Sequence, residues 1–167
     1  IDKLKNFGVS LVQSAATAQA TSAQFEQVFG DMQDNAQKTV DAMGNSFGMV
    51  SSRLKPAFTT MSSMFKGLGL STEDAMKQAE IAVTLAADAA AFYDKSYEDA
   101  NGALNSFIKG NYEGGESIGL FANETQLAAW ASKNLKKDWK KLDEAGKQIA
   151  RLEYAKAMQT AAGATGQ

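Results

Sequence analysis

Three groups of residues in this chain have types and spacings that could carry chemistry. Gly110, Gly114, Gly115 and Gly119 recur closely enough to expose backbone N–H groups to a phosphate. A phosphate loop of that kind follows a strand and leads into a Lys-Ser or Lys-Thr pair, and neither pattern is present, so these glycines read as a turn. The second group is Lys133, Lys136, Lys137, Lys140 and Lys141, interleaved with Leu135, Asp138 and Trp139. Basic and aromatic residues together can hold nucleic acid or acidic lipid. Their structural reading is a solvated face with Trp139 turned inward, and Lys136, Lys137, Trp139 and Lys140 are the candidate partner contacts. The third is Asp88, on the helical stripe Ile81, Leu85 and Phe92, where a carboxylate is costly unless hydrogen bonds satisfy it. With no His or second carboxylate to complete a catalytic pair, Asp88 is expected to be a structural cap, accepting from N–H groups or a hydroxyl at a neighbouring helix start.

Composition narrows the chemistry further. The chain of 167 residues contains no His and no Cys, which removes the commonest general base, the commonest metal ligand, thiolate sites and disulfides. No enzyme activity, metal, cofactor or small-molecule substrate is expected. The net charge of -2 and pI near 5.2 argue against a dedicated nucleic-acid-binding domain. No run reaches the roughly 20 apolar residues of a membrane span, and the long uncharged stretch from Phe7 to Phe25 is filled with Ser, Thr, Gln and Ala. The chain opens at Ile1 without an initiator Met or a signal pattern and stops at Gly166-Gln167, so it reads as a piece of a longer polypeptide.

The elements that would position these residues are helices. Proline occurs once, at Pro56, and β-branched and aromatic residues never alternate with polar ones for long, so the predicted fold is all-α with no sheet. Apolar residues make up 44%, much of it Ala, and aromatics only 9%, so each large side chain must cover much of a modest core. Leu4, Phe7, Leu11, Ala15, Ala18 and Ser22, continued by Phe25, Val28 and Phe29, predict one long helix before Gly30. Ala36, Val40, Met43 and Phe47 form a second stripe, and Leu54, Phe58, Met61, Met64 and Phe65 a third, closing at Gly67-Leu68-Gly69. Gly67 and Gly69 are read as a hinge between a helical arm or hairpin region, residues 1–69, and a compact helical bundle, residues 70–167.

The second part is more clearly punctuated. Ser71 and Ser96 each precede acidic residues in a first turn, so their hydroxyls can accept from free backbone N–H groups while the carboxylates face the positive helix end. Helices are predicted from Thr72 to Tyr93 and from Tyr97 to Ile108, with Gly110 as a left-handed stop. Asn123 starts a third helix through Trp130. Asp143 starts a fourth with Ile149, Leu152, Ala155 and Met158 on one face, and a short turn between them holds Trp139.

The run Leu85-Ala86-Ala87-Asp88-Ala89-Ala90-Ala91-Phe92-Tyr93, followed by Ser96, Glu98, Ala100, Leu104, Gly110, Glu113, Ile118-Gly119-Leu120, Leu127 and Trp130, resembles the helical domain of phage tail tape measure proteins. Phe65 through Ala75 is similar to the segment that leads into that domain, and Leu142 through Met158, with Arg151, Tyr154 and Gly163, resembles the helix that closes it. The likeness spans about residues 55–166 and departs at Gly114-Gly115, where relatives carry bulkier residues. It implies a mostly helical virion structural protein that sets tail length, occupies the tail tube lumen until genome ejection, and is assembled in the host bacterial cytoplasm. The implied partners are further copies of the chain as a homo-oligomer, the tail tube protein, tail-tip (distal tail) proteins and tail assembly chaperones, with the lysine cluster a candidate for contact with an acidic lumen or passing DNA.

Two other classes fit the residues. One is a helical adaptor or secretion-associated bundle, using the Met and Phe stripes as a groove for a partner helix. The other is a helical subdomain of an enzyme whose His-bearing or metal-bearing part lies elsewhere.

Overall fold

The computed structural model describes residues 22–166, an all-α fold with no strand among them. The described part of the first helix, α1, covers 22–29, so the long helix predicted from Leu4 lies mostly outside the described residues. There follow α2 (Gln33–Phe47), α3 (Ser51–Gly67), α4 (Thr72–Phe92), α5 (Tyr97–Ile108), α6 (Glu124–Trp130) and α7 (Glu144–Ala162). The chain divides into two compact units, Ile1–Thr60 and Met61–Gln167. The division falls inside α3, upstream of the boundary expected at Gly67–Leu70.

In the first unit, Gly48 ends α2 in the left-handed conformation, and the Met49 N–H returns to the Gly44 carbonyl at 2.9 Å. The turn is so tight that a Cβ on Gly44 would stand 2.7 Å from the Met49 carbonyl oxygen, which is why a helix-weakening residue occupies that buried position. Ser51, opening α3, donates its hydroxyl to Asp41 at 2.6 Å. That bond, joined by one from Gln37, holds the Asp41 carboxyl below its ordinary value. Phe25, Phe29, Ala36, Val40, Met43, Leu54 and Phe58 are buried, with Phe29 stacked on Phe58 and the Lys55 ammonium 4.2 Å from the centre of the Phe25 ring. Pro56 sits inside α3 and cannot donate to the Ser52 carbonyl, and both residues are exposed, so water can serve that carbonyl.

In the second unit α4 is the central helix. From Leu85 to Ala90 every residue is buried, because Ala dominates and lets α5 and α7 pack closely against the helix. Its start is set by Ser71, whose hydroxyl accepts the Asp74 N–H at 3.2 Å, and the start of α5 by Ser96, which accepts from Asp99 at 3.1 Å. Asn123 and Gln126 bond reciprocally at the start of α6, and Asp143 accepts from Gly146 at the start of α7. The four predicted starts hold.

Two helix faces differ from expectation. On α4, Leu85 and Asp88 are buried, Ile81 is half-buried and Phe92 is 43% exposed, since the helix is enclosed in its middle and emerges at its end. On α7, Ile149 and Met158 are only half-buried, whereas Gln148, Arg151 and Gln159 are buried with Leu152 and Ala155. Arg151 turns inward to partners on other elements as well as to Glu144 of α7 itself.

Candidate functional site

Arg151 is the most heavily engaged charged side chain of the second unit, and its spacing alone did not single it out. Its Nη1 donates to the Ile108 carbonyl at 3.0 Å and to Glu144 Oε1 at 3.2 Å, and its Nε donates to the Tyr112 hydroxyl at 3.1 Å. Glu124 lies 3.6 Å from Nη2, and it also accepts the Tyr112 hydroxyl at 2.9 Å. The guanidinium is 5.5 Å from the Trp139 ring centre and 5.7 Å from that of Tyr112. A positive charge at the last carbonyls of α5 meets the negative end of that helix. The Ile108 carbonyl and Glu144 occupy Nη1, the Tyr112 hydroxyl occupies Nε, and Glu124 pairs with Nη2 by charge. The guanidinium ties α5, the 3-10 turn Tyr112–Ile118, α6 and α7 together. Burial raises the Tyr112 hydroxyl above its ordinary value, the Arg151 bond opposes that rise and the Glu124 bond adds to it.

The predicted turn glycines surround this centre. Gly110 has φ +103, and a Cβ there would sit 3.4 Å from Arg151 Nη2, so glycine leaves room for the guanidinium. A Cβ on Gly115 would come within 3.0 Å of Phe107 and Leu120, and one on Gly114 within 2.5 Å of the Ser106 Cβ. Glycine at both positions thus permits close packing of the 3-10 turn on α5. Gly119, at φ +76, abuts the Tyr93 ring. Gly67 and Gly69 form a hydrogen-bonded turn from α3 into α4, with Gly69 N–H donating to Lys66 and Leu70 N–H to Phe65. Both lie within the second unit, downstream of the division inside α3.

Asp88 is satisfied from an unexpected direction. Its Oδ2 accepts the Gly166 N–H at 2.9 Å, past the end of α7. It therefore fastens the C-terminal turn to the middle of α4.

The lysine segment folds as a distinct lobe. α6 runs on into a π-helical turn, Ala131–Leu135, which has no marker in the sequence, and Lys136 then takes a left-handed conformation at φ +56. Asp138 accepts the Lys140 N–H and so starts the short 3-10 turn Trp139–Lys141. Trp139 is buried, as expected, while Lys133, Lys136, Lys137, Lys140 and Lys141 are all exposed. Lys136, Lys137, Trp139 and Lys140 come together on one open cavity of about 430 Å³, with Ser132 and Asp138 beside them. Among the described residues no cluster of carboxylates could hold a metal ion, and no helix is long and apolar enough to cross a membrane.

Comparison with known protein families, curated proteins and solved structures returns no match. The second unit holds two charged groupings of different character: a buried Arg151 bonded to neighbouring elements, and an exposed basic lobe.

Proposed function

We propose that this chain is an internal helical segment of a phage tail tape measure protein, a structural component of the virion that fixes tail length and leaves the tube at genome ejection. The observation that carries the reading is the order of elements from α4 to α7. The Leu85–Tyr93 run lies on a long buried helix, the Ser96-capped helix follows, then a Gly-Glu 3-10 turn, the Ile118-Gly119 step into α6, and a closing helix with Arg151 and Tyr154 turned inward. That is the order on which the sequence resemblance rests. In this reading the work is steric and no bond is made or broken. Helices rise about 1.5 Å per residue, so residue count converts directly into length along a tube.

Further copies of the chain, the tail tube subunits, the tail-tip proteins and the assembly chaperones are the partners this reading calls for. Its test is genetic: whole helical turns are removed from the parent gene and tails are measured by electron microscopy. A shortening near 1.5 Å per deleted residue supports the ruler, and tails of unchanged length overturn it.

The partly exposed rings of Phe92 and Phe121 favour a second reading, a helical adaptor that docks a partner helix. The Met and Phe stripes that would have formed its groove do not favour it, because Met43, Phe58, Met61 and Phe65 are buried. A short parent chain that forms a stoichiometric complex with a helical peptide would select the adaptor.

A further inference from the structure

Like charges are not crowded without cost, and the lobe after α6 crowds five ammonium groups into the nine residues from Lys133 to Lys141. No ion pair among the described residues engages any of the five. Asp138, the one acidic residue in the stretch, is turned to its own backbone, where it accepts the Lys140 N–H at 3.2 Å. The carboxylates of Glu124 and Glu144 are drawn to Arg151. Asp138 lines the cavity beside Lys136, Lys137 and Lys140, so three ammonium groups there meet one carboxylate in a chain that is acidic overall. Because charges separated by more than about 8–10 Å are screened at ordinary salt, that local balance governs what approaches the lobe.

The lobe is also held in shape. The Lys137 N–H bonds back to the Ala131 carbonyl at 3.3 Å across the π turn, Lys136 adopts a left-handed backbone that costs a non-glycine residue energy, and the buried Trp139 anchors the segment under Lys147. Lys136, Lys137 and Lys140 converge on the same 430 Å³ concavity, which the Ser132 hydroxyl also lines.

We propose that this lobe is a binding surface for the phosphodiester backbone of nucleic acid, with Lys136, Lys137 and Lys140 as the principal contacts and Lys133 and Lys141 flanking them. Recognition is blind to sequence. Trp139, the only aromatic residue of the segment, is 6% exposed and cannot stack on a base, so affinity comes from charge neutralisation and counterion release. A membrane surface fits less well, since Trp139 is buried and Leu135 and Leu142 are half-buried, leaving no apolar wedge to enter the headgroup layer. The surface stands apart from the tape measure reading: it requires only these lysines, and tail length does not bear on it.

The test is fluorescence anisotropy of a short labelled DNA duplex titrated with the full chain between about 50 and 200 mM salt. Binding is expected to weaken steeply with salt. The K136Q/K137Q/K140Q variant should lose at least tenfold in affinity at the low-salt end and flatten the log–log salt slope by about 3. K38Q/K95Q/K109Q, with the same change in net charge on other exposed lysines, should stay near the parent value. On the unaltered chain, mass-spectrometric mapping of lysine methylation should show Lys136, Lys137 and Lys140 protected by DNA, a readout that needs no variant to fold. The proposal is overturned if the duplex does not bind at low salt, if the control triple loses as much affinity, or if methylation is unchanged by DNA. It is overturned equally if phosphatidylserine vesicles bind through these lysines while DNA does not, or if inorganic phosphate at matched ionic strength displaces the duplex completely, which would mark a small-anion site.

Discussion

The hydroxyl end of Tyr93 occupies the space that a Cβ on Gly119 would need, at a residue whose φ of +76 already disfavours any side chain. Tyr93 caps the C-terminus of α4 and Gly119 closes the 3-10 turn, so one contact joins the longest described helix to the step into α6. Gly119→Ala should therefore cost the left-handed strain of about 1 kcal/mol and a further 1–3 kcal/mol for the collision. Gly163→Ala, at φ +79 with open space around it, should cost only the strain. Urea unfolding of both variants, and of Gly119→Ala combined with Tyr93→Phe, separates the two contributions. Removing the hydroxyl should restore part of the loss, and strict additivity of the two substitutions would count against the contact.

Asp88 offers a prediction of a different kind, because it accepts a backbone N–H far away in sequence. Asp88→Ala leaves the Gly166 amide without its acceptor and should lower stability by about 1–3 kcal/mol. Asp88→Asn keeps an acceptor oxygen and should lose less. Hydrogen exchange at the Gly166 amide checks the assignment directly: it should be slowed in the parent chain and fast in Asp88→Ala. If the two rates are equal, the carboxylate does not fasten this turn.

These two contacts mark where reading the sequence works and where it stops. Ser71, Ser96, Asn123 and Asp143 announce helix starts because a capping residue and the N–H it serves are three residues apart, a relationship written locally. The inward turn of Trp139 is legible for a similar reason, since it is the one large apolar ring among lysines. Asp88 could be marked as a satisfied buried carboxylate, but its donor lies 78 residues away and no local pattern names it. Arg151 is harder still. Apolar periodicity placed Ile149 and Met158 on the inner face of α7, whereas Arg151 turns inward and bonds to a carbonyl 43 residues distant. The one available signal was an Arg flanked by Ala150 and Leu152 on a helix whose other basic residues are lysines. The π turn after Trp130 has no residue signature, and with it the convergence of Lys136, Lys137 and Lys140 on one cavity stayed hidden.

Arg151→Met tests whether that centre is structural. The substitution keeps much of the buried volume but strands the Ile108 carbonyl and removes the donor to Tyr112, while Glu124 and Glu144, each about half exposed, can turn to water. The expected loss is roughly 2–3 kcal/mol, less than for a fully buried pair because water rehydrates the carboxylates. Arg151→Lys should recover only a fraction, since one ammonium cannot reach the Ile108 carbonyl, Tyr112 and Glu144 in the geometry of the planar fork. Thermal unfolding of the two variants should rank parent, Lys, Met in falling order. A Met variant as stable as the parent would remove Arg151 from the centre of the account.

Two partly buried phenols, Tyr112 and Tyr154, predict how the second unit responds to alkali. Burial raises both the Tyr112 and the Tyr154 hydroxyls above the ordinary value of 10.0. Below that value the phenols are protonated in the folded and unfolded chains alike, and the full stability is present. As pH rises past it, the unfolded chain releases protons that the folded chain still holds, so the unfolded state is favoured and stability falls until the folded pKa is passed. Tyr154→Phe removes one of these groups together with its 3.3 Å bond to the Phe121 carbonyl, which should lower stability near neutral pH yet make the decline above about pH 10 shallower. Tyr112→Phe should do the same, with a larger loss at neutral pH because Arg151 Nε also loses its acceptor. The deciding measurement is the slope of unfolding free energy against pH from about 9 to 11. All other side chains are the same in parent and variants, so the difference in slope isolates the phenols. Parallel slopes for the parent and both Phe variants would mean that neither phenol is held protonated by its surroundings.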